Sequence, residues 1–121
     1  MKVIEIDGLS ERELTHELFS GKVKAKTVVS KELGAKDLSL SIISFPKGVR
    51  NYFHAHEFDQ VLWILSGKGI VADEEREYEA LPGMAFFIPG GERHWHGASE
   101  ESDFSHISIL RPGKPTRILK E

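Results

Sequence analysis

The sequence predicts an all-β protein, a sandwich or barrel of short strands, with one short helix near the N-terminus. Three observations carry the prediction. From residue 23 onward, apolar residues fall into short runs cut by Gly, Pro and Asp/Glu pairs at the spacing of an all-β domain. Two of these runs, Leu38 to Ile42 and Ile107 to Leu110, alternate with Ser at the period of a strand with one face buried. Finally, 121 residues that are 40% hydrophobic and 29% charged suffice for one core and exclude a second complete domain.

Each element has a local reason. Ser10, followed three residues later by Glu13, makes a capping box before Leu14, Leu18 and Phe19, with Gly21 as the stop, which predicts a helix of about three turns. Strands are expected over residues 23–29, 38–45, 50–56, 60–65, 68–73, 77–80, 84–88, 93–97 and 103–110. Turn chemistry divides them at Ser66-Gly67-Lys68-Gly69, at Leu81-Pro82-Gly83 and at Pro89-Gly90-Gly91. The run Asp73 to Glu77 has the charge pattern of a solvated hairpin tip. Beyond it, the last eleven residues, with Pro112, Gly113 and Pro115, form an exit segment ending in a short edge strand at Thr116 to Leu119. Residues 1–121 are thus expected to form a single domain whose barrel core is about 38–110.

Composition excludes several function classes. The chain has no Cys, so a disulfide framework, an iron-sulfur cluster, a thiolate zinc finger and a Cys nucleophile are impossible. Any metal must be held by imidazole, carboxylate or amide. Sixteen Lys plus Arg against nineteen Asp plus Glu give a net charge of -3, which argues against a nucleic-acid surface. The longest apolar runs, Val61 to Leu65 and Met84 to Ile88, are far too short to span a membrane, and the first residues lack the apolar core of a signal peptide. A soluble, cytoplasmic protein is expected.

The histidines are distributed in a telling way. Of six, four form two His-x-His pairs, His54 with His56 and His94 with His96. On a strand, residues two apart project from the same face about 6.6 Å apart along the chain, so both imidazoles can lean onto one ion. A helix could not do this at that spacing. Two such pairs on separate strands point to a metal site. His16 falls on the predicted helix, on the side away from Leu14 and Leu18, and is expected at the surface.

Spacing around the pairs brings in a family. Gly48, His54-Ala55-His56, Gln60 and Gly67 resemble the first signature of the cupin superfamily, and Gly83, Pro89-Gly90-Gly91 and His94 resemble the second. The glycines have physical reasons, since the turn before the ligand strand must tolerate positive φ and Pro-x-Gly makes the tight turn that presents His94. The resemblance implies a double-stranded β-helix, or jelly-roll, barrel holding one divalent metal on His54, His56, Gln60 and His94. It departs from the usual pattern at Gln60, where Glu is common, and at Ala98, where Asn is. Gln60 and the string His94-Trp95-His96-Gly97-Ala98, followed by a strand carrying His106, resemble small cupins linked to carboxymuconolactone decarboxylases, some of which are manganese-dependent hydroxynitrile lyases.

This donor set has chemical consequences. Gln in place of Glu keeps an oxygen donor but removes a negative charge, which makes a bound ion a stronger Lewis acid. Four protein ligands leave an octahedral ion two open positions. His106 and His96 are expected to act as general base or as hydrogen-bond partners of the substrate. Imidazole-rich sites accept manganese, iron, nickel, cobalt, copper or zinc, and the resemblance favours manganese or iron. Inward positions such as Ile43, Leu62, Ile64 and Phe86 suggest a small, largely apolar substrate. Strand alternation turns Asp59 away when Gln60 faces in, so Gln60 is preferred over Asp59 and Glu57 as the oxygen ligand. Trp63 and Trp95 are expected at a sheet face used for dimer contact or in core packing. The expected function is a metal-dependent lyase working as a homodimer; a small-molecule binding or sensing module and an iron-dependent dioxygenase are the alternatives.

Overall fold

The computed structural model describes residues 1–112 and 116–119. Among the described residues the strands are β1 (Arg12–Leu14), β2 (Val23–Val29), β3 (Ser39–Phe45), β4 (His54–Ala55), β5 (Gln60–Gly67), β6 (Gly69–Ala72), β7 (Glu77–Ala80), β8 (Ala85–Ile88), β9 (Trp95–Ala98), β10 (Phe104–Leu110) and β11 (Arg117–Ile118). They form a six-stranded sheet in the order β1-β2-β3-β10-β5-β8, a three-stranded sheet β7-β6-β9 and a two-stranded pair β11-β4. Every pairing is antiparallel. This is the jelly-roll barrel that the sequence predicts.

Strand alternation decides what faces inward. Across β3, β10 and β5, the register sets Ile43 beside His106 and His106 beside Ile64, and likewise Ser41, Ser108 and Leu62 in one row. These rows point into the barrel, where Leu62, Ile64, Phe45 and Phe104 are fully buried with Val23, Val71, Ala80, Ile88 and Ala98. The intervening positions Trp63 and Leu65 face outward and are exposed. Trp95, by contrast, is buried under the guanidinium of Arg50, which lies 3.7 Å from its ring centroid.

Two glycines let the chain reach the site. Gly91, at φ 86°, closes the Pro89-Gly90-Gly91 turn, and its N–H donates to the His56 carbonyl at 2.7 Å. Gly97 lies where residues 49–51 cross β9; a Cβ there would come within 2.4 Å of Arg50 Cα.

The predicted N-terminal helix does not form. Residues 12–14 are instead the edge strand β1, with Glu13 opposite Lys24 and Leu14 opposite Val23, and the chain then turns so that Phe19 bridges Asn51. A helix of this length is marginal in water, whereas the wrapped strand covers the edge of β2 and packs Leu14 and Phe19 on the core. Helical geometry among the described residues is confined to 3-10 turns at Ile6–Gly8 and Lys31–Leu33. The expected strand 50–56 shortens to β4, with isolated bridges at Arg50 and Asn51. The exit strand appears as β11, while Gly113 and Pro115 lie outside the described residues. At the tip between β6 and β7, Asp73 Oδ1 accepts the main-chain N–H groups of Glu75 and Arg76, as a solvated hairpin end requires. Among the described residues, no helix is long and apolar enough to cross a membrane.

Candidate metal centre

The two His-x-His segments lie directly opposite each other. His54 and His94 form an antiparallel bridge, each donating its main-chain N–H to the other's carbonyl at 2.9 and 3.0 Å. That pairing places the three side chains of His54, His56 and His94 together, with one ring nitrogen of each within 4.8 Å of the others. Neither Asp nor Glu joins this group among the described residues.

Local hydrogen bonds orient the rings. His54 Nδ1 donates to the Tyr52 carbonyl at 2.7 Å, and His94 Nδ1 donates to the Glu92 carbonyl at 2.8 Å. In each case the acceptor is the carbonyl two residues earlier, so Nδ1 carries the proton and the Nε2 lone pair is free for a ligand. His56 Nδ1 lies 3.2 Å from Thr116 Oγ1, and its Nε2 is buried with no hydrogen-bond partner. Buried polar atoms are rarely left unpaired, and an unpaired imidazole nitrogen facing two others is what a metal ion would satisfy.

Gln60 completes the arrangement. Its amide nitrogen donates to Ser108 Oγ at 3.0 Å, which turns its Oε1 toward the cluster, 3.1 Å from His94 Nε2. Donors bound at about 2.1 Å to adjacent positions of one octahedral ion lie about 3 Å apart, so this separation suits a shared ion. Asp59 points away, as alternation requires, and accepts the Gly90 N–H at 2.9 Å. The residues therefore fit a divalent metal.

Electrostatics favour neutral rings. Burial, reinforced by the neighbouring His94, pushes His54 down to about 3, and the same two causes bring His56 to about 4. Burial also lowers His94, against the opposing pull of the Glu92 carbonyl. Neutral imidazole is the ligating form, so the cluster needs no deprotonation to take an ion at pH 7.

Behind the cluster lies a second pair. His106 Nε2 and His96 Nδ1 are 3.1 Å apart, both buried. Burial lowers both, His106 to about 4 and His96 well below its ordinary value, where the His106 ring adds to the effect. Asn51 anchors this pair, its Oδ1 accepting the His96 main-chain N–H at 2.8 Å while its Nδ2 lies 3.3 Å from His96 Nε2. The rings of His94 and His96 are stacked at 5.9 Å with 12° between their planes, so the two members of that pair do share a face.

A cavity of about 160 Å3 reaches both groups; its wall includes Phe19, Ile43, Phe45 and Leu110 besides His54, His56, His96 and His106. Larger clefts exist on the outside of the barrel, but they touch at most one of these rings. The sequence-predicted residues His54, His56, Gln60, His94, His96 and His106 are thus brought together, and His16 stands apart at the surface, where its Nδ1 accepts the Leu18 N–H. Asn51 and Thr116 were not foreseeable from spacing, because each reaches its histidine from a distant segment.

The matches to known proteins agree with this geometry. Residues 41–110 match the family model described as the cupin domain, and the chain belongs to that family. It is 32% identical over 68 residues to an (R)-mandelonitrile lyase of Granulicella tundricola, covering 55% of this chain and 52% of that protein. The chain therefore spans about half the length of the curated relative it matches. Among solved structures, a cupin-like protein of Thermotoga maritima superposes with a TM-score of 0.83 at 27% identity, over 90% of this chain and 84% of that one. The polyketide cyclase RemF of Streptomyces resistomycificus superposes at 0.85 with 20% identity, over 100% of this chain and 87% of the other, a likeness of fold alone.

Proposed function

We propose that the protein is a metal-dependent lyase that splits a small apolar hydroxynitrile into a carbonyl compound and hydrogen cyanide. One divalent ion, manganese or iron, is held by His54, His56, His94 and Gln60. The observation that carries the reading is the convergence of four neutral donors on one point at the wall of a small cavity that also contains a buried histidine pair. Its reaction class is supported by the likeness to a mandelonitrile lyase.

A bound divalent ion supplies Lewis-acid polarisation of the substrate oxygen, undiminished by any carboxylate ligand. The apolar wall of Phe19, Ile43 and Phe45 holds the substrate's hydrocarbon group and excludes water. The His96–His106 pair takes up the hydroxyl proton on the ring nitrogen that keeps a lone pair outside their mutual hydrogen bond, which leaves one imidazolium in the pair. As the proton leaves, the oxygen's electron pair forms the carbonyl, the carbon–carbon bond breaks, and cyanide departs with that bond's electrons. The proton then passes from the pair to cyanide, so atoms and charge balance.

Elemental analysis combined with mandelonitrile cleavage tests this. Near-stoichiometric metal is expected in the wild type, with losses in Gln60→Ala and His94→Ala. His106→Ala should keep the metal and lose most turnover. Less than about a tenth of an equivalent of metal after supplementation, or retained metal in Gln60→Ala with loss in a Glu57 variant, overturns the ligand set.

We also propose that the protein is a homodimer joined through the outer face of the six-stranded sheet. Trp63 and Phe87 are 55% and 64% exposed, and the register sets Trp63 between Ile107 and Ala85, and Val61 between Ile109 and Phe87. These outward side chains make one apolar patch, suited to sheet-on-sheet packing. Sedimentation should show a dimer for the wild type and a folded monomer for Trp63→Ser combined with Phe87→Ser. An unchanged mass in the double variant would refute this interface.

A further inference from the structure

His56 is held differently from the other two clustered imidazoles. His54 and His94 are oriented by carbonyls two residues away in their own segments. His56 instead meets a side-chain hydroxyl from sixty residues further along the chain, Thr116 Oγ1 at 3.2 Å. The segment that brings this hydroxyl is itself fixed to the ligand strand. β11 pairs with β4, with Arg117 opposite Ala55 and Ile118 opposite His54, and the Leu119 N–H donates to the Phe53 carbonyl at 2.8 Å. Thr116 therefore arrives beside His56 on a strand registered against the very residues that carry His54 and His56.

We propose that Thr116 is a positioning residue of the metal centre, and that the C-terminal strand β11 is its structural support. The inference rests on the reading of His54, His56 and His94 as metal ligands. Its chemistry follows from the ring. His56 Nε2 is buried without a partner and must keep its lone pair to ligate, so the proton of the neutral ring belongs on Nδ1. Thr116 Oγ1 is the acceptor that holds it there. Without that acceptor, the ring is free to rotate and to populate the tautomer with its proton on Nε2, which cannot bind a metal. Such outer hydrogen bonds contribute about 10- to 100-fold to metal affinity at comparable sites.

The test uses the full chain and the variants Thr116→Val, which keeps the shape and loses the hydroxyl, and Thr116→Ser, which restores the hydroxyl. Ring nitrogen shifts of the metal-free protein should report His56 as the Nδ1–H tautomer in wild type and Thr116→Ser, with a shift toward Nε2–H in Thr116→Val. Titration with Co2+ against a chelator should show about 10-fold weaker binding in Thr116→Val, recovery to within about 3-fold of wild type in Thr116→Ser, and an altered visible spectrum in the Val variant alone. Equal affinity and an unchanged tautomer in all three proteins overturn the role of Thr116 while leaving the metal reading intact. Failure of the wild type to bind Co2+ overturns both.

Discussion

At one end of the barrel interior, Phe45, Phe104, Leu62 and Ile64 pack as an ordinary apolar core; at the other, His54, His56, Gln60 and His94 meet around one point. The same strands build both. β10 contributes Phe104 and, two residues on, His106, while β5 contributes Ile64, Leu62 and then Gln60 on one inward row. The two regions join at Phe45, whose ring lies 5.8 Å from His96 and 5.7 Å from His106. Burial is almost equal, since His106, His54 and His94 are as inaccessible as Leu62. What differs is the free energy of that burial. Removing Leu62 from water stabilises the fold, whereas holding imidazoles in the same interior costs free energy that hydrogen bonds only partly offset. One end therefore holds the barrel together and the other is carried by it.

The largest expected effect comes from acid, which acts on one end only. Five of the interior histidines have lowered values, and His106 is brought from 6.5 to about 4 by burial. Below pH 6.5 the unfolded chain binds protons that the native interior refuses, so stability is full above that value and falls as pH drops toward 4. His106 alone represents about 3 kcal/mol over this window, at about 1.4 kcal/mol per pKa unit, against a total stability of about 5–15 kcal/mol. Metal-free protein should therefore unfold between pH 6.5 and about 4, and metal loading should move the transition to lower pH by competing with protons. Denaturant melts at a series of pH values measure this. A stability that stays level down to pH 4 would mean that the imidazole end is hydrated and not dry.

Next in size is the apolar end. Leu62→Ala should cost about 3 kcal/mol, because Leu62 is wholly buried in the apolar cluster and leaves a cavity behind. Calorimetry should show a fall of about 10 °C or more in Tm. Metal stoichiometry should be retained, since His54 and His94 are oriented by their own segments, His56 by Thr116 and Gln60 by Ser108, none of them by Leu62. Loss of metal in this variant would show that the two ends are energetically coupled.

Much of this contrast was legible in the sequence. Period-two alternation located the strands, and the two His-x-His pairs, with the family resemblance carried by Gly48, Gln60 and Gly83, singled out the residues that cluster in the interior, because these signals lie in short stretches of sequence. Gln60 could be preferred over Asp59 from alternation alone, and Asp59 does turn outward to Gly90. The misjudged helix at Ser10 to Gly21 shows the limit of local signals. Its capping box was sound as local chemistry, yet pairing of Leu14 with Val23 and packing of Phe19 on Phe45 outweighed it. Asn51 and Thr116 were hidden for a related reason. Each acts on a histidine through a contact that only the folded chain creates, 45 residues away for Asn51 and 60 for Thr116.

The smallest expected change in stability comes from the most drastic change in chemistry. Replacing His96 and His106 together by Leu removes both partners of the 3.1 Å ring–ring hydrogen bond, so neither is left unsatisfied in the interior. Asn51 keeps the bond in which its Oδ1 accepts the His96 main-chain N–H, but its buried Nδ2 loses the His96 ring, and this is the main cost of the substitution. Leu against Phe45 and Phe104 would extend the apolar end toward the cluster of His54, His56 and His94. The metal-free double variant should melt within about 2 kcal/mol of the wild type at pH 7, while turnover of mandelonitrile is lost and the metal content is kept. Because two of the five depressed imidazoles are gone, its acid unfolding should also begin at lower pH than that of the wild type. A loss of several kcal/mol at pH 7 would refute the division drawn here, since it would make the histidine pair part of what holds the barrel together.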